Sequence, residues 1–111
     1  MERPSQVRFA DEVLQRSFEQ LSDGNSEEKE VREWLEQAFV NIEKNAFCGI
    51  QIPKKLIPKE YIADYRITNL WKYNLPNAWR LLYSIENQQI CVVSIVLEWM
   101  NHKDYERKFN Y

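Results

Sequence analysis

Val7 and Phe9 alternate with Arg8 in the stretch from Gln6 to Ala10, which predicts a short strand with one buried face. From Asp11 the period lengthens. Leu14, Phe18 and Leu21 recur at i, i+4 and i+7 and mark one face of a helix that Gly24 ends. Asn25, with Glu28 three residues later, has the form of a capping box, and Glu27, Glu28 and Glu30 suit the positive end of a helix dipole. The helix that follows carries Val31, Trp34, Leu35, Ala38 and Ile42 as one apolar stripe, with charged residues between them on its solvated side. A short glycine-containing turn between two helices predicts an antiparallel hairpin.

Gly49, Pro53 and Pro58 break the segment from Cys48 to Pro58, which therefore reads as a loop, and Pro58 fits the first position of a short helix through Tyr61 and Ile62. Three strand-like runs come next: Leu70 to Asn74, Trp79 to Glu86 and Ile90 to Glu98. The turns Asn-Leu-Pro-Asn and Asn-Gln-Gln separate them, so a meander is the simplest pairing. A charged tail from His102 to Phe109 predicts a last short helix. The expected fold is α+β, with an N-terminal strand and a helix hairpin packed on an antiparallel sheet.

At 111 residues the chain has room for one domain, and 44% apolar residues are enough for it to build a core. The longest apolar stretch, Ile90 to Leu97, is far too short to span a bilayer, and the polar start lacks the apolar centre of a secretory signal. A cytoplasmic protein with no membrane contact is expected. Cys48 and Cys91 lie in no CxxC spacing, and with His102 as the lone histidine they cannot close a zinc site, so both read as reduced, largely buried thiols. The net charge of −2 hides an asymmetry: residues 1–45 hold 11 acidic and 6 basic side chains, and residues 46–111 hold 6 and 9. One surface can then meet a polyanion while another stays acidic.

Along Trp79 to Glu86 the alternation puts Trp79, Leu81, Tyr83 and Ile85 on a core face and Arg80, Leu82, Ser84 and Glu86 on the other. A charge inside a central strand must be paired, hydrated or facing a ligand. Arg80 is thus either ion-paired with Glu98 or Glu86, or a phosphate-binding arginine on an open sheet face. A three-residue turn with no bulge would put Arg80 and Glu98 on one face, and a two- or four-residue turn would put them on opposite faces. Lys54, Lys55, Lys59 and Lys72 could rim Arg80 and track a nucleic-acid backbone, or be an ordinary solvated set. His102 can exchange a proton near neutral pH, and Tyr105 can stack on a base or donate a proton. There is no glycine-rich phosphate loop, no Ser-His-Asp order and no carboxylate cluster, so no metal and no small-molecule cofactor is expected.

The run from Asn69 to Tyr83, NLWKYNLPNAWRLLY, then VVSIVL from Val92 to Leu97 and HKDY from His102 to Tyr105, resembles the RelE/ParE toxin superfamily of toxin-antitoxin systems. The order of a first strand, a helix hairpin and a sheet fits as well. The resemblance implies a ribosome-dependent endoribonuclease that cuts messenger RNA without a metal and is held inactive by a cognate antitoxin. In such an enzyme Arg80 would stabilise the phosphate in the transition state, His102 and Tyr105 would match acid/base and stacking groups, and Lys54 and Lys55 would bind RNA. A gyrase-directed branch of the superfamily keeps the fold without the catalytic groups. The alternative is therefore a non-catalytic domain that binds a protein partner.

Overall fold

A computed structural model describes residues 2–88 and 91–109. Strand β1 (Gln6–Phe9) leads into helices α1 (Glu12–Gln20) and α2 (Ser26–Lys44). Strand β2 (Ile50–Ile52), helix α3 (Lys59–Tyr65), strands β3 (Leu70–Asn74), β4 (Arg80–Asn87) and β5 (Val92–Met100), and helix α4 (His102–Phe109) complete the chain. The α+β class holds, and the five strands form one sheet in the order β1-β5-β4-β3-β2.

The sheet is mixed, which corrects the antiparallel expectation. β2, β3, β4 and β5 pair antiparallel in sequence order, but β1 lies parallel to β5, with Gln6 opposite Val93 and Phe9 opposite Val96. The α1–α2 hairpin between β1 and the later strands gives the chain enough length for a parallel return. A second correction concerns the expected loop from Cys48 to Pro58: its three residues Ile50–Ile52 form the edge strand β2, against Lys72, Trp71 and Leu70. Pro58 caps α3 from outside, with ψ near 135°, and does not occupy its first turn. Of the third predicted strand, Ile90 lies outside the described residues, and the strand begins at Val92.

Asn25 closes the expected capping box: its side chain accepts from the Glu28 N–H at 2.9 Å, and the Glu28 carboxylate accepts from the Asn25 N–H at 3.3 Å. Val31, Leu35, Ala38 and Ile42 of α2 are buried against Leu81, Tyr83 and Val96 of the sheet. Arg32 ties the hairpin together. Its guanidinium lies 4.4 Å from the centre of the Phe18 ring and donates to the Phe18 carbonyl at 3.1 Å, in the last turn of α1.

The opposite sheet face is not open, contrary to the sequence expectation. α3 and α4 cover it, and Ile52, Tyr61, Leu70, Leu82, Leu97, Met100 and Tyr105 form a second core there. Leu82 and Ser84, which alternation assigns to an exposed face, are both buried. Cys48 is exposed and Cys91 half-buried, so neither is the buried thiol expected. No helix among the described residues is long and apolar enough to cross a membrane.

Candidate functional site

The turn between β3 and β4 sets where Arg80 stands. Asn77 and Ala78 take positive φ values of 56° and 62°, and the Leu75 N–H donates to the Trp79 carbonyl at 2.9 Å. An alanine in this left-handed region costs about 1 kcal/mol, and the tight reversal it permits puts Arg80 directly opposite Asn74. Lys72, two residues back along β3, pairs with Leu82 and so shares the sheet face of Arg80. On the other side of β4, Arg80 faces Met100, the last residue of β5. Asn101 follows and caps α4 by accepting from the Asp104 N–H at 2.9 Å, which brings α4 back across this face.

Tyr105 of α4 is 2% exposed. The Lys72 Nζ and the Arg80 guanidinium carbon each lie 5.3 Å from the centre of its ring, inside the range of a cation–π contact. Arg80 donates through Nη1 to the Trp79 carbonyl at 3.2 Å, and its Nε is buried without a hydrogen-bond partner among the described residues. Neither Arg80 nor Lys72 makes an ion pair with a described residue.

Glu98 is on the same face as Arg80, by an unexpected route. Pairing closes with Asn87 opposite Val92, a register that alone would put the two on opposite faces. The register then slips between Leu82, opposite Glu98, and Tyr83, opposite Val96. Leu97 is the extra residue, and this bulge restores the shared face. Glu98 nevertheless does not pair with Arg80. It accepts from the Tyr61 hydroxyl and from Lys108 Nζ at 2.9 Å, and Lys108 also reaches Glu60 at 3.3 Å. This network fastens α4 to α3 and β5, with Lys108 lying 4.7 Å from the centre of the Tyr61 ring.

His102 begins α4 one turn before Tyr105. Its side chain is about half exposed, and Nε2 stands 3.0 Å from the Glu106 carboxylate. Lys54, Lys55 and Lys59 are exposed, and Lys54 and Lys55 do not rim Arg80. They follow β2, whose last residue Ile52 is opposite Leu70, whereas Arg80 is opposite Asn74 at the other end of β3. Of the residues singled out in the sequence, the fold thus assembles Lys72, Arg80 and Tyr105, keeps His102 nearby on the same helix, and separates Lys54 and Lys55. Lys108 and Glu60 received no role from the sequence. The only signal of their link was an i, i+3 spacing from Tyr105 to Lys108 on one helix face.

Burial, then the carboxylate of Glu98, pushes the Tyr61 phenol far above its ordinary range. Burial is also the main cause for Tyr83 and for Tyr65, the latter with Asp11 and Glu98 adding to it. Burial pulls Lys108 down, but Glu98 and Glu60 outweigh it and its ammonium is held above the usual value. In the unfolded chain tyrosines lose their protons near pH ~10. The unfolded state therefore releases protons first as pH rises. The stability these phenols contribute is full below that pH and declines above it. Alkaline titration followed by tyrosinate absorbance and circular dichroism should show a fraction of the tyrosines ionising only together with loss of secondary structure. Smooth ionisation of every tyrosine with the fold intact would contradict the burial of Tyr61 and Tyr83.

Comparison of the chain with protein-family models, with curated proteins and with solved structures finds no match.

Proposed function

We propose that the protein is a toxin of the RelE/ParE kind, a ribosome-dependent endoribonuclease that cuts messenger RNA and is held inactive by a cognate antitoxin. The observation that carries the reading is the pair of cations, Lys72 and Arg80, on the Tyr105 ring with no described carboxylate to neutralise them. The carboxylate best placed for an ion pair, Glu98, is engaged by Tyr61 and Lys108. Two uncompensated positive charges on one sheet face suit a phosphodiester. The strongly acidic helix hairpin lies behind the sheet, so its charge opposes RNA least on the side of Arg80.

In this reaction the 2′-hydroxyl of one nucleotide attacks its own 3′-phosphorus, and the P–O bond to the next nucleotide breaks. The products are a 2′,3′-cyclic phosphate and a free 5′-hydroxyl. One proton leaves the attacking oxygen and one is delivered to the departing oxygen, and no metal is needed for either transfer. Arg80 and Lys72 stabilise the extra negative charge on the non-bridging oxygens. His102, exposed at the start of α4, serves a proton transfer, its imidazole oriented by Glu106. Lys54, Lys55 and Lys59 would bind message or ribosomal RNA farther along the strand. The partners are the ribosome, its message and the antitoxin, all of them cytoplasmic.

Expression without a partner, followed by growth and by mapping of message ends on translating ribosomes, tests this. Growth arrest with new ends inside codons is the expected result. Growth arrest with intact messages would replace the ribonuclease by the non-catalytic alternative, a toxin that acts on a protein target such as gyrase.

A further inference from the structure

A side chain that stacks on a base must offer a ring face, and one that trades protons with substrate must be reached by it. Tyr105 is 2% exposed, its ring packs on Phe109 at 4.6 Å between centres, and Lys72 and Arg80 both lie within cation–π range of it. No face is left for a base. The two cations come from neighbouring strands and repel each other. Without a shared anchor, long side chains of like charge move apart into water. Each stands 5.3 Å from the same ring centre, so they cannot be farther apart than twice that distance. The ring is fixed in turn by α4, which Lys108 fastens to Glu98 and Glu60.

We infer that Tyr105 is a positioning residue: its ring, not its hydroxyl, holds Lys72 and Arg80 together as a two-cation clamp for one RNA phosphate. The phosphate as ligand rests on the ribonuclease reading. The platform itself does not. An aromatic ring draws each cation to its π face and so offsets their mutual repulsion. Because the ring is enclosed, the clamp exists before substrate arrives, and little reorganisation is needed on binding.

The test uses the full chain as wild type, Tyr105→Phe and Tyr105→Leu. Nuclear magnetic resonance reads the methylene protons next to the Lys72 ammonium and the Arg80 guanidinium, which an aromatic ring shifts upfield. The shifts should be present in the wild type, persist in Tyr105→Phe and vanish in Tyr105→Leu. Binding is measured with a single-stranded RNA carrying 2′-O-methyl groups throughout, which cannot be cut. Tyr105→Phe should bind like the wild type, while Tyr105→Leu should bind about three- to thirtyfold more weakly and with a shallower dependence on salt. Unshifted Lys72 and Arg80 protons in the wild type would overturn the platform. Loss of cleavage in Tyr105→Phe with RNA binding unchanged would overturn it as well, by assigning the chemistry to the hydroxyl. If Tyr105→Leu does not fold, the wild type and the phenylalanine variant still decide the matter. If the wild type cuts no message, the ribonuclease reading fails while the resonance shifts still test the platform.

Discussion

Replacing Arg80 by alanine should lower message cleavage by about a hundred- to a thousandfold and leave Tm nearly where it was. The two halves of this expectation have different origins. Cleavage depends on charge that develops at the phosphate only in the transition state, and a guanidinium already in place stabilises it with no reorganisation. Stability depends on what Arg80 does in the free protein, where it makes one bond to its own chain neighbour Trp79, no ion pair with a described residue, and keeps a buried unpaired Nε. Losing that cation relieves a desolvation cost while giving up the packing of its stem, for a net change of roughly 1 kcal/mol or less. Arg80→Lys should recover part of the cleavage, since it restores charge without the planar fork. Cleavage measured by primer extension that is equal in wild type and Arg80→Ala would end the role proposed for this residue. A large drop in Tm would instead mark Arg80 as structural.

Gly49→Ala should be among the most damaging small changes in the chain. A Cβ there would stand 2.6 Å from the backbone carbonyl oxygen of Lys72 and 2.6 Å from the Tyr83 hydroxyl. Neither atom can yield cheaply. The Tyr83 hydroxyl donates to the Ala46 carbonyl at 2.8 Å and accepts from the Gly49 N–H at 3.1 Å, so moving it breaks the contacts that pin this loop to the central strand. Overpacking of this kind costs about 1–3 kcal/mol, a fall in Tm of roughly 5 to 20 °C for a chain this size. Because the carbonyl struck by the added methyl group in Gly49→Ala belongs to Lys72, RNA binding at temperatures where the variant is still folded should also weaken. A melt of Gly49→Ala that stays at the wild-type Tm would show that the loop does not press on β3.

The local half of this architecture was legible in the sequence. The capping box of Asn25 and Glu28, the stripe Val31, Leu35, Ala38 and Ile42, and the alternation that puts Leu81 and Tyr83 in the core each depend on neighbours within a turn or two, and each is present. The misses share a different cause. β2 is three residues between a glycine and a proline, too short to show any period. The parallel pairing of β1 with β5 joins opposite parts of the chain, and nothing in Gln6–Phe9 specifies its partner. Burial of the Arg80 face comes from α3 and α4, whose sequences read as charged because Tyr61 and Tyr105 are the only buried side chains they contribute. For the site, residue types pointed to Arg80, Tyr105 and Lys72, but their meeting on one ring depends on the register of β3 against β4 and on the return of α4. Turn length could not place Glu98 either, since the register set by Asn87 opposite Val92 and the bulge at Leu97 offset each other.

The parallel contact of β1 also sets an order of events in folding. The Ser5 hydroxyl lies 2.9 Å from that of Ser94, 89 positions away, and no described strand nearer in sequence pairs with β1. Closing so long a loop is entropically expensive until the strands between are in place. The antiparallel ribbon from β3 to β5, with its short connections, should therefore assemble before β1 is drawn in. Until then one side of β5 is an unpaired edge with Val93 and Val96 beside it, the point at which this chain is most open to pairing with another strand.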